Sequence, residues 1–136
     1  MANEIFIDTS GFYAMLVRGD DKHAAAKRVL REARRRKRGF VTTDYVLDET
    51  ATLLKARSLV HLVEPLFEKL DESEAFRIEW TDADRFQEVR AYFVKHKDQD
   101  WSFTDCLSFR VMAQLRLRDA LTKDTHFQQA GFVVLL

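Results

Sequence analysis

The stretch that decides the fold is Glu4-Ile5-Phe6-Ile7-Asp8-Thr9-Ser10-Gly11, close to the amino terminus. Its three consecutive apolar residues show no polar alternation, which predicts a short strand covered on both faces, as in a parallel sheet. Asp8 follows at the carboxyl end of this strand, and Thr9 or Ser10 can cap a helix that begins near Gly11. Ligands of open α/β sheets bind beyond the carboxyl ends of the strands, so Asp8 is a candidate site residue.

The rest of the chain alternates predicted helices with predicted strands. Strands are predicted over 40–43, 76–80, 119–122 and 132–136. Helices are predicted over 12–17, 21–36, 45–56, 60–70, 81–96 and from 103 onwards, with Asp44 and Ser102 as caps and a bend or late start at Pro65. This alternation predicts one α/β domain over residues 1–136, in which a central parallel sheet of four to five strands has helices on both sides.

Composition excludes several classes of protein. The chain has 136 residues, of which 46% are hydrophobic and 32% charged, as in a globular domain with its own core. No apolar run approaches the ~20 residues of a membrane helix, so we expect no membrane association. The amino terminus does not resemble a signal peptide, and the single cysteine, Cys106, cannot form an internal disulfide. We therefore expect a cytoplasmic protein.

Four carboxylates occupy equivalent places in the alternation. Asp8 follows the first strand, Glu49 lies in the helix after the second, Asp105 lies in the first turn of the helix from 103, and Asp124 follows the strand over 119–122. Because the carboxyl ends of parallel strands meet at one edge of a sheet, we expect these acids to gather there. Crowded carboxylates repel one another, and a divalent cation such as Mg²⁺ or Mn²⁺ relieves that repulsion.

Four motifs of the chain resemble those of the PIN-domain ribonucleases. Within that family they are most similar to the VapC-like toxins of toxin–antitoxin pairs. The motifs are Phe6-Ile7-Asp8-Thr9-Ser10, Thr43-Asp44-Tyr45-Val46-Leu47-Asp48-Glu49, Ser102-Phe103-Thr104-Asp105 and Leu121-Thr122-Lys123-Asp124-Thr125-His126-Phe127. Each motif alone is weak, but their order and spacing cover nearly the whole chain. The resemblance implies a PIN-like three-layer fold.

The resemblance also implies an activity and roles for named residues. Asp8, Glu49, Asp105 and Asp124 would be the catalytic, metal-binding acids, and Thr9 and Thr104 would hold a water or a phosphate oxygen. The family cleaves RNA with Mg²⁺ or Mn²⁺, through attack of a metal-bound water on the phosphodiester, and its toxins bind a cognate antitoxin. Additional acids lie near these motifs, at Asp44, Asp48 and Asp100, so the identity of the fourth ligand stays open.

The basic run from Lys27 to Arg38 has two interpretations. Such a run is usually a solvated helix face, and the alternative is a surface for RNA phosphates or for an acidic segment of an antitoxin. The residues concerned are Lys27, Arg31, Arg34, Arg38 and, beside a proposed ligand, Lys123. The apolar helices over 12–17 and 59–70 can serve an antitoxin groove or a homodimer, which we expect, although core burial explains most of their residues equally well.

Simpler interpretations of the acids remain open. Asp8 can be a helix cap, Asp105 can complete a capping arrangement with Ser102, and Asp124 can be a turn residue. The histidines, His126 among them, show no metal-ligand spacing and are interpreted as structural or surface residues. Two other functions stay possible: a catalytically inactive PIN-like module that binds RNA or protein, and a phosphoryl-transfer domain with Asp8 as nucleophile.

Overall fold

One parallel sheet organises the computed structural model, which describes residues 3–136. Its strands within that range are β1 (Ile5–Ile7), β2 (Phe40–Thr43), β3 (Phe76–Glu79), β4 (Asp119–Leu121) and β5 (Val133–Val134). They pair in the order β3-β2-β1-β4-β5, each parallel to its neighbour. β1, β2 and β4 are buried along their whole length, as the apolar runs predict, whereas the edge strand β3 is partly exposed.

Helices cover both faces of the sheet. They are α1 (Thr9–Leu16), α2 (His23–Arg35), α3 (Asp44–Ala56), α4 (Val63–Glu72), α5 (Ala83–Lys95), α6 (Phe103–Gln114) and α7 (Thr125–Gln129). Right-handed crossovers place α1 to α4 on one face and α5 to α7 on the other. Accordingly α1 packs against α2 and α3, while α6 packs against α5 and α7. The predicted architecture, one central parallel sheet of four to five strands with helices on both sides, is confirmed.

The order of the strands creates a crevice between β1 and β4. The chain leaves β1 towards β2 and β3 on one side, and then returns to place β4 on the other side. Ligands of such sheets bind where this direction reverses, beyond the carboxyl ends of the two strands. Ile7 pairs with Leu121 in the sheet, so the next residues along the two strands, Asp8 and Thr122, flank the crevice.

Several local predictions need correction. The cap of α1 is Asp8 rather than Thr9 or Ser10, and that of α3 is Thr43 rather than Asp44. The Asp44 carboxylate instead accepts hydrogen bonds from the backbone N–H and the hydroxyl of Thr81, at 3.1 and 2.7 Å. The short helix α7 was not predicted.

The α-helix that contains Pro65 begins later than residue 60, as the proline led us to expect. A 3₁₀ turn over Val60–Leu62 precedes α4, which begins at Val63, so Pro65 lies in the first turn. Backbone N–H groups there have no partner within the helix, and the proline therefore costs no hydrogen bond. Among residues 3–136, every helix is too short or too polar to span a bilayer.

Candidate metal-binding active site

Asp8 is a buried carboxylate held by a network of hydroxyl groups. Only 8% of the residue is exposed. Its Oδ1 accepts hydrogen bonds from the Gly11 N–H at 3.0 Å and the Ser10 hydroxyl at 2.9 Å, and its Oδ2 accepts one from the Thr122 hydroxyl at 2.8 Å. Thr122 Oγ1 in turn accepts from the backbone N–H of Asp124, at 3.0 Å. Ser10 and Thr122 therefore link the carboxyl ends of β1 and β4 through Asp8.

The protons of this network indicate how Asp8 behaves without a cation. The hydroxyl oxygens of Ser10 and Thr122 are 3.0 Å apart, yet each has a single proton and both hydroxyls face the Asp8 carboxylate. If Asp8 is protonated, its carboxyl proton can be donated to one of the two hydroxyls. That hydroxyl can then donate its own proton to the second hydroxyl, so all three contacts become hydrogen bonds. Burial, with a further contribution from the charge of Asp124, raises the pKa of Asp8 from 3.8 to about 6, although hydrogen bonds from Gly11, Thr122 and Ser10 oppose the rise.

A second group of ligand atoms lies where α6 and α7 begin. Oxygens of Asp105 and Asp124 and a ring nitrogen of His126 all lie within 4.8 Å of one another. His126 Nδ1 is 3.1 Å from Asp105 Oδ2 and 3.4 Å from Asp124 Oδ1, and all three residues are partly exposed. Asp124 also connects to Asp8 through Thr122. The carboxyl edge of the sheet therefore places Asp105 and Asp124 beside His126, and Asp8, outside this group of three, is joined to Asp124 through Thr122.

Each of these acids also takes part in capping a helix, which the simpler interpretations of the sequence expected for Asp8 and Asp105 but not for Asp124, interpreted there as a turn residue. Asp8 caps α1, Asp124 caps α7 by accepting from the His126 N–H at 2.9 Å, and Asp105 forms a reciprocal capping box with Ser102 at the start of α6. Backbone N–H groups at helix amino termini stabilise negative charge. The capping role and the site role are therefore compatible in this fold.

Glu49 lies apart from the group formed by Asp105, Asp124 and His126. It is exposed on α3, and the next residue, Thr50, is buried with its hydroxyl 3.4 Å from that of Thr9. Thr9 therefore contacts α3, and the hydroxyls that contact Asp8 belong to Ser10 and Thr122. Thr104 is partly buried, and its carbonyl accepts a hydrogen bond from Ser108 at 2.9 Å. The assignments of Glu49, Thr9 and Thr104 stay predictions.

Three residues of this edge were given no role at the site from the sequence: Ser10, Thr122 and His126. The contact between His126 and Asp105 joins residues 21 positions apart, and it depends on how α6 and α7 pack. The motif around Asp124 already contained Thr122 and His126, so their proximity to a proposed ligand was the available signal. Of the additional acids, Asp48 and Asp100 are exposed, and Asp44 is engaged with Thr81.

The cations predicted to contact RNA lie at both edges of the sheet and along α2 between them. Lys123 lies at the carboxyl edge, with its Nζ 3.6 Å from carboxylate oxygens of both Asp20 and Asp21. Arg38 lies at the opposite, amino edge of the sheet, where its guanidinium is 2.9 Å from the carboxylate of Asp119, the first residue of β4. Lys27, Arg31 and Arg34 are exposed on α2 between these two edges.

The carboxyl edge suits a small divalent cation. Two ligands of one Mg²⁺, each at about 2.1 Å, are at most ~4.2 Å apart, and a 4.8 Å spread among Asp105, Asp124 and His126 is close to that limit. Carboxylate oxygens are the donors that Mg²⁺ and Mn²⁺ prefer, and an imidazole nitrogen adds a donor better suited to Mn²⁺. A cation would also compensate the negative charge of Asp8, whose burial, with a smaller contribution from the charge of Asp124, otherwise raises its pKa and favours its protonation.

Comparisons with known proteins agree with this geometry. Residues 5–133 match the PIN domain. The chain is 33% identical over 129 residues to a protein of Mycobacterium tuberculosis named 23S rRNA-specific endonuclease VapC20, from strains CDC 1551 and H37Rv; the match covers 95% of both chains. The crystal structure of Mycobacterium tuberculosis VapC20, described as a sarcin-ricin loop cleaving toxin, superimposes with a TM-score of 0.82 at 31% identity, over 96% of this chain and 97% of that one.

These matches bear on the predictions made from the four motifs. They confirm the family, and they confirm at the level of class the predicted activity, an RNA-cleaving endonuclease of the VapC toxin type. The ion, the ligand residues, the RNA target and the partner are finer matters than these matches reach. The chain belongs to the PIN-domain family, in its VapC-like branch.

Proposed function

We propose that this chain is a metal-dependent endoribonuclease whose divalent cation, Mg²⁺ or Mn²⁺, is held by Asp8, Asp105, Asp124 and Glu49. The observation that carries this proposal is the meeting of Asp8, Asp105 and Asp124 at the crevice between β1 and β4. Glu49 would approach from the first turns of α3 and complete the site on its open side. His126 is a further ligand candidate that the geometry adds.

Neighbouring residues orient the proposed ligand carboxylates and supply positive charge beside them. Ser10, in the first turn of α1, and Thr122, just after β4, fix the orientation of the Asp8 carboxylate, and His126 fixes that of Asp105. A bound cation would lower the pKa of a water ligand and neutralise charge on the scissile phosphate. Lys123, exposed beside Asp124, supplies positive charge at the mouth of the crevice, where a phosphodiester would enter.

The RNA target is proposed from the relatives. VapC20 is named for cleavage of 23S rRNA, and a sarcin-ricin loop is named as its site. At 33% identity the same structured RNA is the first substrate to examine. We further propose that the chain acts in the cytoplasm, that a cognate antitoxin inhibits it, and that it forms a homodimer, as expected for a toxin of this branch.

The test is cleavage of 23S rRNA by the purified chain, with Mg²⁺, with Mn²⁺ and with a chelator. Cleavage at defined positions is expected with either ion and not with the chelator, and Asp124→Asn should reduce the rate by at least ~100-fold. Asp71→Asn removes the same charge from an exposed position of α4 and should cleave normally. An inactive RNA-binding module would instead bind the RNA without cutting any RNA offered, which would overturn the proposal.

A further inference from the structure

A basic pocket lies at the opposite edge of the sheet from the acids. It has a volume of about 810 Å³, and its walls come from α2, from the carboxyl-terminal part of α4 and from the segments that lead into β2 and β3. Its cationic lining includes Lys27, Arg31, Arg34, Lys37 and Lys69. The floor is apolar, because Phe40 and Phe76, the first residues of β2 and β3, stack there with ring centroids 5.2 Å apart. We name this cavity the amino-edge pocket.

Of the cations that line the amino-edge pocket, Arg38 pairs with Asp119, whereas Arg31, Arg34 and Lys69 form no ion pair within residues 3–136. On the same helix, Arg35 and Arg36 lie beyond the pocket lining and both form ion pairs with Glu32. Within residues 3–136, no carboxylate lies within ion-pair distance of Arg31, Arg34 or Lys69. Burial, together with the charges of Lys27 and Arg34, lowers the pKa of Lys69. Glu74 also lines the pocket, but the lining cations outnumber it, and an anionic ligand would relieve this excess of positive charge.

Helix α2 connects this pocket with the acidic edge. Just before its first turn, Asp20 and Asp21 contact Lys123, the neighbour of Asp124. Just after its last turn, Arg38 pairs with Asp119 at the amino end of β4. Lys27, Arg31 and Arg34 follow at spacings of four and three residues, so they share one face of α2. At 1.5 Å per residue this cationic face extends for about 10 Å along the helix.

We propose that the amino-edge pocket binds the phosphate backbone of RNA at a distance of roughly five nucleotides from the cleaved bond. This inference rests on the proposed function. β2 is four residues long, or about 13 Å, so the pocket and the acids lie some 15–20 Å apart, which about five stacked nucleotides would span. Arginine pairs match phosphate oxygens, and the apolar floor can receive the planar face of a base. An acidic peptide would satisfy the charges, but continuity with the cleaving edge favours RNA.

The experiment compares two variants that remove equal charge from the same helix. Arg31→Gln with Arg34→Gln alters the pocket, while Arg35→Gln with Arg36→Gln alters cations that pair with Glu32 outside it. Fluorescein-labelled oligouridylates of about four and about sixteen nucleotides serve as probes, since the shorter one can occupy the pocket but only the longer one extends from the pocket to the acids. Binding is measured in chelator at several salt concentrations, so the result does not depend on cleavage.

The proposal expects a loss of affinity that is confined to the pocket variant. That variant should bind the longer RNA about tenfold more weakly, and its slope of log affinity against log salt should fall by about 1.4, or about 0.7 for each lost cation. The shorter RNA should also bind the pocket variant more weakly, because it can occupy the pocket alone, and the control variant should show little change with either RNA. Equal weakening in both variants, or unchanged binding of both RNA lengths by the pocket variant, would overturn the proposal. So would a pocket variant that keeps its RNA affinity but loses affinity for an oligoglutamate peptide, which would identify a docking site for acidic protein.

Separate measurements test the pocket and the proposed endonuclease activity. A chain that cleaves no RNA in Mg²⁺ or Mn²⁺ would contradict the endonuclease assignment, yet the binding measurement would still report on the pocket. Conversely, an active enzyme whose pocket variant cleaves and binds long RNA like the unaltered chain would contradict the pocket alone.

Discussion

Replacement of Asp8 by asparagine should stabilise the metal-free protein while it abolishes cleavage. Burial raises the pKa of Asp8 from 3.8 to about 6, a rise of roughly two units, and each unit corresponds to about 1.4 kcal/mol. The charged form of Asp8 therefore costs the folded state about 3 kcal/mol. Asparagine resembles the protonated carboxyl, because its amide can donate to Thr122 and release the proton of that hydroxyl for Ser10.

The effect has a defined pH window. The unfolded chain releases the Asp8 proton near pH 4, whereas the folded chain keeps it up to about pH 6. The contribution of Asp8 to the free energy of unfolding is therefore lost as the pH rises through this interval and stays constant above it. We expect Asp8→Asn and the unaltered protein to be similar near pH 4, and the variant to be more stable by up to ~3 kcal/mol at pH 7.

Urea unfolding in chelator between pH 4 and pH 8, followed by tryptophan fluorescence, measures this difference. Asp71→Asn, at an exposed position, should shift the free energy of unfolding by no more than about 0.5 kcal/mol at any pH. Adding Mg²⁺ or Mn²⁺ should stabilise the unaltered protein more than Asp8→Asn, because the variant lacks one of the four proposed ligand carboxylates and binds the cation more weakly. A difference between Asp8→Asn and the unaltered protein that is the same at pH 4 and pH 7 would refute the reasoning.

Three further outcomes are expected. Glu49→Gln should reduce cleavage by ~100-fold without changing the melting temperature, because Glu49 is exposed; normal cleavage would remove it from the ligand set. His126→Ala should weaken Mn²⁺ binding more than Mg²⁺ binding in a calorimetric titration, since imidazole suits Mn²⁺ better; an equal loss for both ions would contradict direct ligation. Gly11→Ala should destabilise the fold by about 3 kcal/mol or more in urea, because its Cβ would lie 2.0 Å from the backbone oxygen of Leu121, whereas Gly19→Ala, with open space around it, should be nearly neutral.

The sequence predicted the layout of the molecule better than its contacts. The unbroken apolar run Ile5–Ile7 identified a buried strand with Asp8 directly after it, and Asp124 was identified three residues after Leu121, the last residue of β4. Both signals are local, since they depend on burial along a few consecutive residues. Helix α7 has five residues, which is too short to show a helical period, and it was therefore missed.

The sequence did not predict contacts that depend on which side of a helix a residue faces. Thr9 and Ser10 are adjacent in the first turn of α1, but successive residues on a helix point about 100° apart, so only one of them faces Asp8. The sequence left Thr9 and Ser10 as equal candidates for the cap, whereas the packing of α1 places the Ser10 hydroxyl against Asp8 and Thr122 and directs Thr9 towards Thr50. The basic face of α2 was visible in the sequence, but its position relative to the acids required the strand order.

The capping roles of the acids explain how the site can exist before a cation binds. Asp8, Asp105 and Asp124 each accept hydrogen bonds from backbone N–H groups at a helix amino terminus, so part of their charge is already compensated by the fold. Alanine at any of them would remove a cap worth about 1 kcal/mol together with the charge, and a loss of activity would then have two causes. Asparagine keeps a side-chain oxygen for the cap and removes only the charge. Inactivity of an asparagine variant that remains folded therefore points to the missing charge, which is the property that binding of a cation requires.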